Sequence, residues 1–286
     1  MSTVSEPNGV LIVNKHAGVT SHDIVFKIRR LFGTKKVGHT GTLDPMATGV
    51  LPVLIGRGVK ASEFMLTSDK HYRATLILGI TTDTEDVTGE TLTTCENLPC
   101  EGDVREAVAS FVGDYMQTPP MYSALKVGGK KLYELAREGQ TIERQSRPVR
   151  IHSIAVTRLS DREYSLDVHC SKGTYIRTLC ADIGNALGCG GAMKTLERCE
   201  ASGFVLSDGI SLDELFAVPL LELSVDRVHA VYDIICQICQ QQLLRSRVFR
   251  RFFFDGCNQK IKGIMDHICI DFRCHTVFFL ICCSDF

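Results

Sequence analysis

The stretch Gly38-His39-Thr40-Gly41-Thr42-Leu43-Asp44-Pro45-Met46-Ala47-Thr48-Gly49 constrains this chain more than any other. It lies between a helix-like segment and an apolar strand, and it holds three glycines, three threonines and a proline. Glycine permits positive φ and close backbone approach, while Pro45 fixes its own φ and pushes the residue before it away from helical geometry. The pattern predicts a tight, specified loop that displays one carboxylate, Asp44, and one imidazole, His39. No lysine or arginine lies within it, so a cationic partner for Asp44 has to come from elsewhere in the chain. Residue chemistry alone leaves two readings: a plain Asp-Pro turn whose carboxylate caps nearby amides, and a loop that presents Asp44 for chemistry.

Around this loop the periodicity predicts strands and helices in mixture. Val10–Asn14 reads as a buried strand, and Ser21 as the N-cap of a helix whose apolar face is Ile24, Ile28, Leu31 and Phe32 until Gly33 stops it. Val50–Ile55 reads as a strand and Arg57–Thr67 as a helix carrying Lys60. Lys70–Gly79 is a strand with Tyr72, Ala74, Leu76 and Leu78 on one face by period two. Asp103–Val112 is a helix, and Val149–Arg158 and Tyr164–Cys170 are antiparallel strands. Thr174–Leu187 is a helix with Arg177 in its first turn. A cation is poorly placed there for the helix dipole, so a specific carboxylate partner is expected. Thr81–Gly89 is acidic but lacks the spacing and terminal glutamate of a calcium loop, and reads as an acidic surface turn.

Composition enters where partners are concerned. The 286 residues carry a formal net charge of −1, which excludes a crude polybasic nucleic-acid binder, but the average hides a partition. Basic residues gather in Lys27–Lys36 and Lys126–Arg150, acidic ones in Asp83–Glu106, and patches decide where a phosphate backbone docks. Met121–Gly139 interleaves Tyr122, Lys126, Lys130, Lys131, Tyr133 and Arg137 around Gly128-Gly129, which suits either a solvated hairpin or an element that closes on RNA. No stretch reaches the ~20 apolar residues of a membrane span, and the amino terminus is polar rather than signal-like. Thirteen cysteines, an odd count without a secretion signal, predict free thiols in a reducing compartment. No Walker loop or dinucleotide fingerprint is present.

Gly38–Gly49 resembles the catalytic-aspartate motif of the TruB family of tRNA pseudouridine synthases, and other segments agree with it. Leu11–Ser21, with Lys15, Gly18, Thr20 and Ser21, resembles the family's amino-terminal motif, although His16 stands where the family usually has proline. Lys70-His71-Tyr72-Arg73, the thumb-like Met121–Gly139, Gly173-Thr174-Tyr175-Ile176-Arg177 and the short Ser207–Leu215 segment also match. The likeness runs over about Gly9–Leu223.

The resemblance implies an α+β pseudouridine synthase fold, with a central, mainly antiparallel mixed sheet flanked by helices. Residues 1–223 would form the catalytic domain, with an RNA-binding thumb at about 121–150. Asp44 is then the nucleophile, Tyr72 stacks on the extruded base and assists, and Arg177 pairs with Asp44, lowering its pKa and keeping it ionised. His39 takes up space vacated in the T-loop, and Lys60, Lys126, Lys130, Tyr133, Arg137 and Tyr175 contact the RNA. The implied reaction converts the T-loop uridine of tRNA to pseudouridine, in the cytoplasm, by a monomer that uses no metal, nucleotide or other cofactor. Two alternatives remain: an RNA-binding or tRNA-folding factor with weak or lost catalysis, and a related synthase acting on another RNA.

Residues 224–286 form a small, atypical carboxyl-terminal region where bacterial members of the family have a PUA-type domain. Few alternating strands are evident there. Cys236, Cys239, Cys269 and Cys274 are candidate zinc ligands by type, but four residues separate the second pair and no knuckle pattern surrounds them, so the spacing speaks against a metal.

Overall fold

The computed structural model describes residues 8–217. The chain divides into two units, Met1–Asn8 with Ile12–Ala217, and Gly9–Leu11 with Val218–Phe286. The account below concerns the first. The expectations for 224–286, the four candidate zinc cysteines included, lie outside the described residues.

In chain order the elements are β1 (Gly9–Lys15), α1 (Ser21–Leu31), β2 (Val37–His39), β3 (Thr48–Ile55), a 3-10 turn (Gly56–Ala61), α2 (Ser62–Leu66), β4 (Lys70–Leu78), β5 (Ile80–Thr82) and β6 (Thr91–Thr94). There follow α3 (Glu101–Ser110), β7 (Gly113–Gln117), β8 (Lys126–Val127), β9 (Lys130–Lys131), α4 (Leu132–Arg137), β10 (Arg147–Arg158) and β11 (Glu163–Cys170). The last are α5 (Ile176–Ala186), β12 (Gly191–Ala201), β13 (Phe204–Val205), β14 (Ile210–Ser211) and α6 (Leu212–Ala217).

One sheet organises the unit, in the order β14-β1-β3-β12-β4-β11-β10-β7, with β2 added on β3 and β13 on β12. Its pairs β12–β4, β4–β11, β11–β10, β10–β7 and β2–β3 are antiparallel, while β12–β3 and β1–β14 are parallel. The expected mixed, mainly antiparallel sheet is the one observed. β4 alternates as its sequence predicts, with Lys70, Tyr72, Ala74, Leu76 and Leu78 buried. β3 is buried along almost its whole length, and Val50, Leu51, Val53 and Leu54 are inaccessible to solvent. Helix α5 packs on β12 and β4 through Leu179 and Ile183, also fully buried. Each such aliphatic side chain stabilises the fold by roughly 1.5–3 kcal/mol, so the sheet and α5 form a rigid base for the loops at their edge.

Two local expectations change. Thr20, not Ser21, caps α1: its hydroxyl accepts from the Asp23 N–H at 3.0 Å, and the Asp23 carboxylate accepts from the Thr20 N–H at 2.9 Å. This reciprocal box outcompetes a single serine cap and frees Ser21 for another task. The segment expected as one helix over Arg57–Thr67 is a 3-10 turn followed by the five-residue α2. Gly56 and Gly58 in its first turn do not sustain α-helical propagation.

Candidate active site

The loop between β2 and β3 is held from beneath by buried side chains. Asp44-Pro45-Met46-Ala47 closes as a turn, with the Ala47 N–H donating to the Asp44 carbonyl at 3.0 Å. Lys15, 1% exposed at the end of β1, donates from Nζ to the carbonyls of Ala47 at 2.5 Å and Pro45 at 3.1 Å. The Gly18 N–H donates to Pro45 O at 2.8 Å. Ser21 Oγ accepts from the Leu43 N–H at 2.9 Å and lies 3.2 Å from the Leu43 carbonyl, where it donates. The motif residues near the amino terminus therefore serve as the underside of the Asp44 loop. Burial pulls the Lys15 pKa down to about 8, against the opposing pull of Asp44 and with a further push from Arg198.

Arg177, in the first turn of α5, grips Asp44 side-on. Its Nε lies 3.0 Å from Oδ2 and its Nη2 3.4 Å from Oδ1. Nη1 donates to the Thr84 carbonyl at 3.1 Å and Nη2 to the Tyr122 carbonyl at 2.9 Å. The Arg177 side chain is 6% exposed and that of Asp44 33%, so the pair leaves the carboxylate reachable and hides its partner. A second carboxylate, Asp86, stands 3.5 Å from Nη1.

Asp86 corrects the reading of Thr81–Gly89 as a surface turn, because this aspartate is only 4% exposed. Its Oδ1 accepts from the Thr84 hydroxyl at 2.9 Å, the Thr88 N–H at 2.9 Å and the Thr88 hydroxyl at 2.5 Å. Glu85 beside it takes φ 65°, and its Oε2 accepts from the Thr178 hydroxyl at 2.5 Å. The loop thus turns Glu85 and Asp86 inward toward α5, while Asp83, Val87 and Thr88 stay exposed.

The electrostatics also differ from expectation. Burial raises the Asp44 pKa and Asp86 adds to it; Arg177 pulls it down as anticipated, and Lys15 does so too, but burial outweighs them and the net displacement is upward. An ion pair lowers a carboxylate pKa only when its attraction exceeds the cost of desolvation, and here it does not.

Tyr72, 9% exposed on β4, is paired by register with Arg198 of β12. Burial raises its pKa, the Arg198 guanidinium opposes that rise, and Asp44 adds to it. Arg198 of β12 is 1% exposed, with Nε donating to Val50 O at 2.7 Å and Nη2 to Gly41 O at 3.0 Å. Gly49, at φ 106°, has to be glycine, since a Cβ there would stand 2.2 Å from the Arg198 carbonyl.

The remaining expected residues divide into near and peripheral. His39 ends β2, its Nδ1 buried without a hydrogen-bond partner. Burial and the Arg198 charge both lower its pKa, so the imidazole is neutral near pH 7. Tyr175, the N-cap of α5, is clamped by Gln117, whose Oε1 accepts from the Tyr175 N–H at 2.8 Å and whose Nε2 donates to its carbonyl at 3.0 Å. Lys60 stands exposed on the 3-10 turn, outside the hydrogen-bonded network around Asp44.

The thumb is a small hairpin, β8–β9, turning through Gly128 at φ 59° and Gly129 at φ 86°, followed by α4. Lys126, Lys130 and Arg137 are exposed there, Lys131 Nζ donates to the Tyr133 hydroxyl at 3.1 Å, and the Arg137 guanidinium lies 5.5 Å from the Tyr133 ring centre. Tyr122, at the start of the segment, reaches Arg177 through its carbonyl and so ties the thumb's base to the site.

Asp86, Arg198 and Gln117 were missed by sequence reasoning. Each lies on a different element from Asp44, and nothing in its local spacing marks it as buried. Among the described residues, no group of three or more His, Cys, Asp or Glu side chains is arranged to hold a metal ion, and no helix is long and apolar enough to cross a membrane.

Comparison with known proteins follows the same outline. Residues 29–176 match the family model of the TruB family pseudouridylate synthase N-terminal domain, and residues 177–227 that of the tRNA pseudouridylate synthase B C-terminal domain. The chain is 47% identical over 260 residues to tRNA pseudouridine synthase B of Alkaliphilus oremlandii, covering 89% of this chain and 87% of that protein. It is 50% identical over 208 residues to the protein of that name from Clostridium novyi, covering 73% and 72%. Among solved structures it is similar to a chain of the Cbf5-Nop10-Gar1 complex, with a TM-score of 0.58 and 30% identity over 73% of this chain and 54% of that one. A chain of the archaeal box H/ACA sRNP Nop10-Cbf5 complex gives a TM-score of 0.56 and 26% identity over 74% and 54%. The chain therefore spans about half the length of those two structural relatives.

Proposed function

The chain belongs to the TruB family and isomerises uridine to pseudouridine in tRNA; on that premise we propose that Asp44 is the nucleophile, acting on an extruded T-loop uridine. The observation that carries the proposal is the Asp44–Arg177 pair, a carboxylate one-third open and gripped from behind by a buried guanidinium.

The reaction breaks the N1–C1′ bond of uridine, turns the base and rejoins it through C5. It involves no net redox change and no net hydrolysis. A carboxylate suits it because it forms a covalent adduct with the substrate and is later displaced. The Arg177 fork fixes the direction of Asp44, and that orientation costs nothing at the moment of attack. Tyr72 supports the extruded base, since base–aromatic stacking contributes roughly 1–3 kcal/mol. Extrusion itself opposes the reaction, because the base leaves its stack. His39 borders the loop as a neutral imidazole and is read as the group that fills the vacated space. Lys126, Lys130, Tyr133, Arg137, Tyr175 and Lys60 are read as contacts to the tRNA T-arm, chiefly to phosphates. With this reading go a catalytic domain over 1–223, a separate region at 224–286, action as a monomer and a cytoplasmic location.

The test incubates purified protein with an unmodified tRNA transcript and no added cofactor, then maps pseudouridine by carbodiimide treatment and primer extension. One new stop at the T-loop uridine is expected, absent with Asp44→Asn. A stop elsewhere would transfer the reading to another RNA site, and tRNA binding without product would reduce the protein to a binding or folding factor.

A further inference from the structure

Arg198 occupies a position that the chemistry above leaves unexplained. It lies in a row across three strands, with Gly49 of β3 paired to it on one side and Tyr72 of β4 on the other. Opposed residues of an antiparallel pair carry their side chains on one face, with Cβ atoms about 5 Å apart, so Arg198 and Tyr72 are neighbours by register. The β12–β4 register shifts between Arg198 and Glu200, and a bulge of this kind re-aims the side chain beside it. On the β3 side, Gly49 offers no side chain, and the guanidinium reaches across to the carbonyls of Val50 and Gly41. Those two residues stand after and before Asp44 in the chain. The guanidinium also stands near enough to the Tyr72 phenol for its charge to oppose the rise that burial imposes on the phenol's pKa.

One side chain therefore ties both flanks of the nucleophile loop and stands beside the residue opposed to it on β4. Its hydrogen-bonded acceptors are two carbonyls. A buried guanidinium held by neutral groups is costly unless its fork geometry is fully used. Here the fork is used to set one part of the site against another.

Resting on the assignment of Asp44 and Tyr72 to the reaction, we propose that Arg198 is a positioning residue: its guanidinium fixes the Tyr72 hydroxyl relative to the Asp44 loop, and the isomerisation rate depends on that fixed spacing. Lysine at this position keeps the charge but lacks the planar fork that grips both loop carbonyls beside the phenol, and methionine keeps only bulk.

The experiment is a double-mutant cycle on full-length protein with tRNA transcript, reading single-turnover rate and tRNA affinity separately, with thermal melting as the folding control. R198K is expected to slow the single-turnover rate by about 10-fold and R198M by more, with tRNA Kd within about twofold of the parent. In a Tyr72→Phe background R198K is expected to lose most of this effect, falling to about threefold or less, because the hydroxyl it positions is gone. If R198M does not fold, R198K and the double variant carry the test. A full 10-fold loss repeated in the Tyr72→Phe background overturns the proposal, as does a loss that appears only in tRNA affinity or melting temperature. If Tyr72→Phe alone leaves the rate unchanged, the role of Tyr72 falls and this inference with it. If Tyr72→Phe is slow but the two effects multiply, only the role of Arg198 falls.

Discussion

The Asp44 loop and the thumb are both short, glycine-containing segments joined to the same sheet, yet they are built in opposite ways. The Asp44 loop is fixed by buried side chains from four elements: Lys15 from β1, Ser21 from α1, Arg177 from α5 and Arg198 from β12. The thumb hairpin presents Lys126 and Lys130 to solvent, and its Lys130–Glu138 pair, 3.3 Å apart and exposed on both sides, adds less than about 1 kcal/mol. On the proposed function the contrast has a reason: covalent chemistry needs a reacting atom fixed before the substrate arrives, which an over-determined loop provides. A phosphate backbone is gripped by charge with loose geometric demands, which an exposed hairpin meets.

The largest effect should come from Asp44→Asn, which removes the proposed nucleophile and keeps the shape of the loop. Single-turnover rate is expected to fall about 10³-fold or more while tRNA affinity holds within a few-fold. A variant that turns over normally would end the nucleophile assignment and erase the contrast between the two segments.

Next is Arg177→Met, which leaves Asp44 and Asp86 without their shared cation. Urea unfolding at neutral pH should show a loss of about 3 kcal/mol, the low end for a broken buried pair because Asp44 is partly open. With the cation gone, burial favours the protonated Asp44 carboxyl still more, so the folded state holds that proton more tightly than the unfolded chain. The deficit should therefore shrink as pH falls and grow as it rises. A pH-independent deficit would mean that only packing had been lost.

Asp86→Asn should act more subtly. Asp86 raises the Asp44 pKa, so removing its charge should shift the acid limb of the single-turnover pH profile toward lower pH. An unmoved limb, or one moved upward, would separate Asp86 from the ionisation of Asp44 and leave it a role in folding the Thr81–Gly89 loop.

The smallest effect on the fold belongs to the thumb. Lys130→Ala should leave stability within about 0.5 kcal/mol of the parent and leave single-turnover rate at saturating tRNA unchanged. It should reduce the slope of log affinity against log salt by about 1, the loss of one phosphate contact. If this variant slows chemistry at saturation, the thumb takes part in catalysis and the division drawn above is too sharp.

The sequence by itself determined the elements whose information is local. Alternating burial in β4 followed from Tyr72, Ala74, Leu76 and Leu78, and the Asp44 turn followed from its proline and glycines. The partner for Asp44 was legible as a requirement, since Arg177 in a first helical turn needs a carboxylate. Only the tertiary structure decided that Arg177 is shared with Asp86, that Ser21 and Lys15 hold the loop from below, and that Arg198 bonds its carbonyls from a place opposite Tyr72. It also reversed the expected direction of the Asp44 pKa. Burial and cross-strand register depend on segments far apart in the chain, as in the contact of Arg198 with Gly41, 157 residues away. A short stretch of sequence carries the chemistry of a side chain, but its desolvation and its neighbours exist only once the sheet has closed around it.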